Sequence, residues 1–312
     1  MRRLSRTELR SVALIRSSLI LPGGASLTTE NGDVWECESD ANGNWRVVSI
    51  QKNSAPGRGK LTANRTYYVR TDGNDTNDGL ANTAGGAFLT IQKAINVVYG
   101  ALDLGGFDVV IQVGAGTYGA GVSITSAQVG AGKIILRGDV TTPSNVVIDE
   151  PGNAVYASNY AAFSIEGFKL KAAVGGGLTV ELGAQCNVTG KMDFGACGSA
   201  HVQAMQGGTI TSFVNYSITG SAPSHLYSLI GGRIRFQIAT ITISGTLAFG
   251  SGFARADDLS LIYSSANTYS GGTVTGPRYW VTTNSQIYTG GGGANYFPGN
   301  ATGTASSGGL YS

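Results

Sequence analysis

The sequence predicts an all-β chain whose larger part winds as a parallel β-helix with coils of about 24 residues. Three observations predict it. Cut before Gly183, Gly207 and Gly231, the chain gives three segments that align, GAQCNVTGKMDFGACGSAHVQAMQ, GGTITSFVNYSITGSAPSHLYSLI and GGRIRFQIATITISGTLAFGSGFARA, the first two 24 residues long and the third slipping by two near its end. Cys186, Ile210 and Ile234 fall in one column, as do Val202 with Leu226 and Met205 with Leu229, and Leu178, Val180 and Gly183 continue the columns upstream. Within each unit, short alternating runs such as TITSF and SHLYSLI are broken by Gly, Ser, Asn and Pro. A fixed period of this size marks a solenoid or array, and alternation marks a strand with one buried face. Long stretches of helical period are missing from the units. Three short strands and three turns per coil then stack equivalent side chains in ladders at roughly 4.8 Å per coil, with aliphatic residues filling a narrow core.

Composition agrees. Glycine is 48 of 312 residues and charged residues are 13%, against 42% hydrophobic. That balance excludes a charged disordered chain and fits a turn-rich β protein. A net charge of +2 supplies no field that selects nucleic acid or a membrane surface. Three cysteines imply no disulfide framework, and Cys186 reads as a core thiol. No apolar run reaches membrane-spanning length.

In chain order, 1–60 reads as an N-terminal adaptor. Arg2, Arg3, Arg6 and Arg10 precede an apolar run that Arg16 interrupts, so a short amphipathic helix is expected rather than a signal peptide. Asp33–Glu38 and Trp45–Ile50 alternate around Asn42-Gly43-Asn44, the pattern of a β-hairpin. A Gly/Pro/Lys-rich linker, 52–64, follows.

The segment 61–106 carries a strand (Tyr67-Tyr68-Val69), a loop TDGNDTNDG and a helix. Asp72, Asp75 and Asp78 are the candidate calcium ligands, although the spacing departs from an EF-hand and Asx-turns account for the same residues without metal. Thr90 is placed to cap a helix whose Ile91, Ala94, Ile95 and Val98 form one apolar stripe. This helix is the expected lid over the open solenoid end.

The solenoid is expected over 107–285, about seven coils, with Val110 and Ile134 24 residues apart in one column. The Gly-rich segment 286–312 has no packed core of its own and is ordered only if held, by identical chains as the favoured holder or by the solenoid.

The run YYVRTDGNDTNDGLANTAGGAFLTIQKAIN, followed by VVIQVGAGTY and GKIILRGD, resembles the opening of pectate-lyase-like right-handed β-helix proteins. That resemblance covers roughly residues 66–170 and implies a right-handed coil. GDVWECESDANGNWRVVSIQK and RYWVTTNSQIYTGGGGANYFPG resemble modules of bacteriophage tail-fibre and tailspike proteins. What these resemblances imply is a homotrimer fixed through its N-terminal segment to other virion proteins, attachment to host surface polysaccharide, location in the virion after assembly in the host cytoplasm, and no cofactor. A polysaccharide depolymerase and a purely architectural virion part are the alternatives.

Cleavage of polysaccharide requires paired carboxylates or a lyase site, and acids are sparse from residue 151 onward. Asp257, Asp258 and Glu166 are the weak catalytic candidates. The 24-residue register sets Glu166 near Thr189, and Arg255 shares a face with Asp257, where a surface ion pair is expected. Tyr227, Arg233 and Arg235 are the weak carbohydrate-binding candidates, read as one patch able to grip an anionic sugar. The two histidines, His201 and His225, are 24 residues apart. Their column lies just outside Val202 and Leu226, so both are expected at a turn or facing solvent.

Overall fold

The computed structural model describes residues 57–312 together with four strands of the N-terminal region, Arg3–Leu4, Leu19–Ile20, Val34–Ser39 and Trp45–Gln51. The chain divides into two compact units, Met1–Gly59 and Lys60–Ser312. In the first, Val34–Ser39 pairs antiparallel with Trp45–Gln51, the expected hairpin. Arg3–Leu4 adds antiparallel to the first of these strands and Leu19–Ile20 adds parallel to the second. These edge strands stand in the segment where a helix is expected. The rest of that helix, the Asn42-Gly43-Asn44 turn and linker residues 52–56 lie outside the described residues.

The second unit is a parallel β-solenoid of about eight turns, with coils of about 25 residues. Three parallel sheets form its faces. A ten-strand face runs from Arg65–Val69 to Leu310–Tyr311, an eight-strand face from Val122–Ile124 to Thr304–Ala305, and a seven-strand face from Gly116–Tyr118 to Thr268–Thr275. The repeat columns hold: Cys186 pairs with Ile210 and Ile210 with Ile234, while Leu178, Val202 and Leu226 form another continuous column.

The early register differs by one residue from expectation. Ile134 pairs with Val109, not Val110. Buried side chains on this strand are Val109, Ile111 and Val113, so a slip to Val110 would set a half-buried valine over the buried Ile134. With a side-chain period of two, burial of one face fixes the register. Pairing also extends beyond 107–285 on both sides. Arg65–Val69 pairs with Val109–Val113, and Thr304–Ala305 and Leu310–Tyr311 pair with the preceding coil. Within 286–312, these strands pair with the chain's own solenoid, one of the two holders named for this segment.

The corner after the eight-strand face shows why Gly-Gly recurs. Gly207 and Gly231 take φ of +76° and +70°, the left-handed region where a Cβ is costly. Gly232, by contrast, needs space: a Cβ there would lie 2.1 Å from the Ala204 carbonyl oxygen of the coil below.

Helix α1, Ile91–Ala101, is capped as its sequence indicates, with Thr90 accepting from the Lys93 N–H. Ile91, Ala94, Ile95 and Val98 are buried, and Tyr99 with them. They pack on the first strands of the ten- and eight-strand faces, and the Tyr99 hydroxyl donates to the Ala162 carbonyl at 2.7 Å. Replacing Thr90→Ala is expected to cost about 1 kcal/mol, read as a lower urea midpoint. An unchanged midpoint would remove the cap from the account of this end.

The first half of the core buries Ile111, Leu136, Ile148 and Ile165 beside Phe88 and Phe168, and aromatic rings dominate its second half, where Phe194, Phe236, Phe249, Phe253 and Phe297 are fully buried. An all-aliphatic core was the expectation. The aromatic half also encloses His201 and His225, both 0% exposed.

Candidate functional site

Outward-facing residues of successive coils form ladders because the coils are in register. On the eight-strand face one ladder reads Ser123, Tyr156, Thr179, Gln203, Tyr227, Arg255 and Trp280. Tyr156 donates to the Glu181 carboxylate. Arg255 Nε donates to Asp257 Oδ2 at 2.7 Å, and its guanidinium carbon lies 4.8 Å from the centre of the Tyr227 ring. Trp280 is 40% exposed, an accessible indole one coil beyond Arg255. The expected Arg255–Asp257 ion pair is present, but Asp257 is buried at 5% exposure rather than lying on the surface. Its Oδ1 has no hydrogen-bond partner. Burial raises the Tyr227 hydroxyl above its ordinary pKa, with Arg255 acting in the opposite direction.

The ten-strand face carries a second ladder, Ser164, Asn187, Thr211, Arg235, Tyr263 and Tyr288. The Arg235 guanidinium carbon lies 5.0 Å from the Phe213 ring centre and 5.6 Å from that of Tyr263. Arg233, two residues earlier, is exposed on the same side. The turn at Ile230-Gly231, both at positive φ, carries the chain from one face to the next. Tyr227 is thereby set on the eight-strand face with Arg255, apart from Arg233 and Arg235. The single patch read from the sequence is two patches on two faces.

The acidic candidates separate in the same way. Glu166 stands on the ten-strand face, where it pairs with Arg137 and accepts from Thr189 Oγ1 at 2.9 Å. Asp257 follows a strand of the eight-strand face, and Asp258 sits in the turn at φ +56°. Lys171 pairs with Asp149, and Lys169 with Asp193 at 3.2 Å.

Each of the three loop aspartates meets a protein donor. Arg70 binds Asp72 through two nitrogens, Nε to Oδ1 at 2.7 Å and Nη2 to Oδ2 at 2.9 Å, and the Asp72 carboxyl falls below its ordinary pKa through that bond. Asp75 accepts from the Leu89 and Thr90 N–H groups and from Thr90 Oγ1, tying the loop to the start of α1. Asp78 accepts from the Leu80 N–H, an Asx-type turn. Among the described residues, no group of three or more His, Cys, Asp or Glu is placed to hold a metal ion.

The histidines are a correction. They point into the core, with His201 Nδ1 3.1 Å from His225 Nδ1 and His225 Nε2 2.8 Å from the Tyr216 hydroxyl. Phe194, Phe249 and Phe253 surround them. The His225 and Leu226 N–H groups both donate to the Phe253 carbonyl, at 2.9 and 3.0 Å. Shared acceptance by one carbonyl interrupts the regular ladder at this position, and His225 is buried next to the buried Leu226, as His201 is next to Val202. Burial lowers the His201 pKa to about 3, although the Gly195 and Gly220 carbonyls act in the opposite sense. Burial, then the neighbouring His201, holds His225 well below its ordinary value. Both rings are neutral at pH 7. One consistent arrangement has Tyr216 donating to His225 Nε2 and His225 Nδ1–H donating to His201 Nδ1. Cys186 is buried as expected, and burial raises its thiol pKa.

No helix among the described residues is long and apolar enough to cross a membrane. Comparison of the chain with protein-family models, curated proteins and solved structures finds no match.

Proposed function

We propose that the chain is a fibre or spike component of a phage-like particle and that its solenoid holds the eight-strand face against polysaccharide on a host surface. The observation that supports attachment is the accessible end of the ladder, Tyr227, Arg255 and Trp280, one residue from each of three successive coils. Rings and polar groups then recur at roughly 4.8 Å per coil along a backbone fixed by sheet pairing. A chain of sugar units offers the complementary pattern, apolar ring faces flanked by hydroxyls. Contacts that are weak singly add along the ladder, and a homotrimer multiplies them by avidity. In this reading the N-terminal unit joins the solenoid to other virion proteins, and the protein resides in the virion.

The test is retention of the intact chain on immobilised host-surface polysaccharide, with light scattering to establish the oligomer. Trp280→Ala is expected to weaken retention at least about tenfold, the scale of an aromatic hot spot. Thermal stability should be unchanged, because this indole is 40% exposed. Failure of the intact trimer to bind any such polymer would remove attachment and leave the architectural reading. New reducing ends or unsaturated ends appearing in the polymer would replace attachment alone with cleavage.

A further inference from the structure

Two arginines of the solenoid sit over aromatic rings, and each makes an Nε bond to the side chain two residues later. In Arg255-Ala256-Asp257 the acceptor is a carboxylate, at 2.7 Å. In Arg235-Phe236-Gln237 it is an amide oxygen, at 2.6 Å. Geometry is therefore alike at the two positions and charge is not. Asp257 neutralises Arg255, whereas Gln237 orients Arg235 and leaves its positive charge uncompensated.

The surroundings of Arg235 fix it further. Phe213 and Tyr263 lie 5.0 and 5.6 Å from the guanidinium carbon, which restrains a long side chain before any ligand arrives. Gln237 is itself held, its Nε2 donating to Ser265 Oγ at 2.5 Å. Arg233 lies two residues away on the same face, about 7 Å along the strand. Among the described residues, neither Arg233 nor Arg235 has a carboxylate at ion-pair distance, whereas Arg70, Arg137 and Arg255 each do. A pre-oriented guanidinium recognises a carboxylate or sulfate by charge-assisted hydrogen bonds, and little ordering entropy remains to be lost. Tyr288 follows Tyr263 in the same ladder, with ring centres 4.5 Å apart, and extends the aromatic surface beside the guanidinium.

We propose that Arg235, clamped by Phe213 and Tyr263 with Arg233 beside it, is a receptor site for an acidic group carried on a polysaccharide, a uronate carboxylate or a sulfate ester. This is a second site, on a different face from the Tyr227–Trp280 ladder. Its saccharide part rests on the attachment reading; its acidic-group part does not. Nucleic acid is the poorer candidate. Phosphate-backbone binding draws on many cations at once, and the net charge of the chain is +2.

The experiment measures binding of the intact chain to four probes: polygalacturonate, the same polymer after carboxyl reduction, dextran sulfate and dextran. The expected result is binding of one acidic polymer at least about tenfold tighter than its neutral counterpart, and loss of that margin in Arg235→Gln. Preference for polygalacturonate assigns the carboxylate, and preference for dextran sulfate assigns the sulfate ester. Lys191→Gln, an exposed cation outside both ladders, should keep the margin. An unfolding midpoint equal to that of the parent verifies that Arg235→Gln is folded, and Arg235→Lys, which keeps the charge but loses the planar stack, should retain part of the margin.

Equal binding of acidic and neutral polymers, or an Arg235→Gln variant indistinguishable from the parent, overturns the proposal. So does duplex DNA bound as tightly as the acidic polymers with the same dependence on Arg235. If the intact chain ignores host polysaccharide yet holds an acidic polymer through Arg235, the site stands and only the attachment reading falls.

Discussion

Acidification from pH 6.5 to 4.5 is expected to destabilise the solenoid steeply, with His201 and His225 as the source. A histidine in the unfolded chain titrates near 6.5, whereas burial holds His201 at about 3 and His225 well below its ordinary value. Because the folded pKa is the lower one, protons bind preferentially to the unfolded chain as pH falls. The contribution to stability is fully present above about pH 6.5 and is lost progressively toward the folded values. Each buried neutral imidazole then costs about 1.4 kcal/mol per pH unit, so two give a slope of about 3 kcal/mol per unit. The titratable group bonded to the pair is Tyr216, whose hydroxyl pKa burial raises. It neither takes up nor releases a proton in this window. Depressed carboxyls such as Asp72 and Asp139 act mainly below about pH 4 and stay out of it too.

Urea midpoints at several pH values measure this slope. In the triple variant His201→Leu, His225→Leu, Tyr216→Phe, which removes both imidazoles and the phenol hydroxyl bonded to them, the slope should flatten. A triple variant with the parent's slope would show that the acid sensitivity lies elsewhere.

Phe253→Ala should be the most damaging single substitution in the aromatic half of the core, at about 3–5 kcal/mol. Phe253 is 0% exposed, and its ring lies 5.0 Å from His225, 5.1 Å from Phe249, 5.4 Å from Tyr269 and 5.8 Å from Phe297. Those partners come from several coils, so the cavity would weaken contacts between neighbouring coils as well as within one. In a solenoid, stability is carried mainly by such nearest-neighbour interfaces. Phe253→Leu, which keeps most of the volume, should cost clearly less. Denaturant unfolding of both variants is the measurement. An alanine variant within about 1 kcal/mol of the parent would mean that the surrounding rings collapse into the space.

The sequence by itself determined the solenoid. Its repeat set the ladders Cys186–Ile210–Ile234 and Val202–Leu226, which the pairing reproduces. Local chemistry also determined the Thr90 cap, the buried stripe of α1, the hairpin of the N-terminal unit and the Arg255–Asp257 pair. These features depend on residues close in sequence or on a period that counting reveals. Tertiary structure decided what depends on phase. His201 and His225 are buried beside the buried Val202 and Leu226, and nothing in the alternation of SHLYSLI announces it. The turn at Ile230-Gly231 sends Tyr227 to one face and Arg235 to another, although the two are eight residues apart. Pairing of Ile134 with Val109 rather than Val110 follows from burial on both strands at once. The Gly-rich end is held for the same reason: Leu310–Tyr311 finds its partners in Gln286 and Ile287 of the preceding coil, a contact that exists only once the chain has wound.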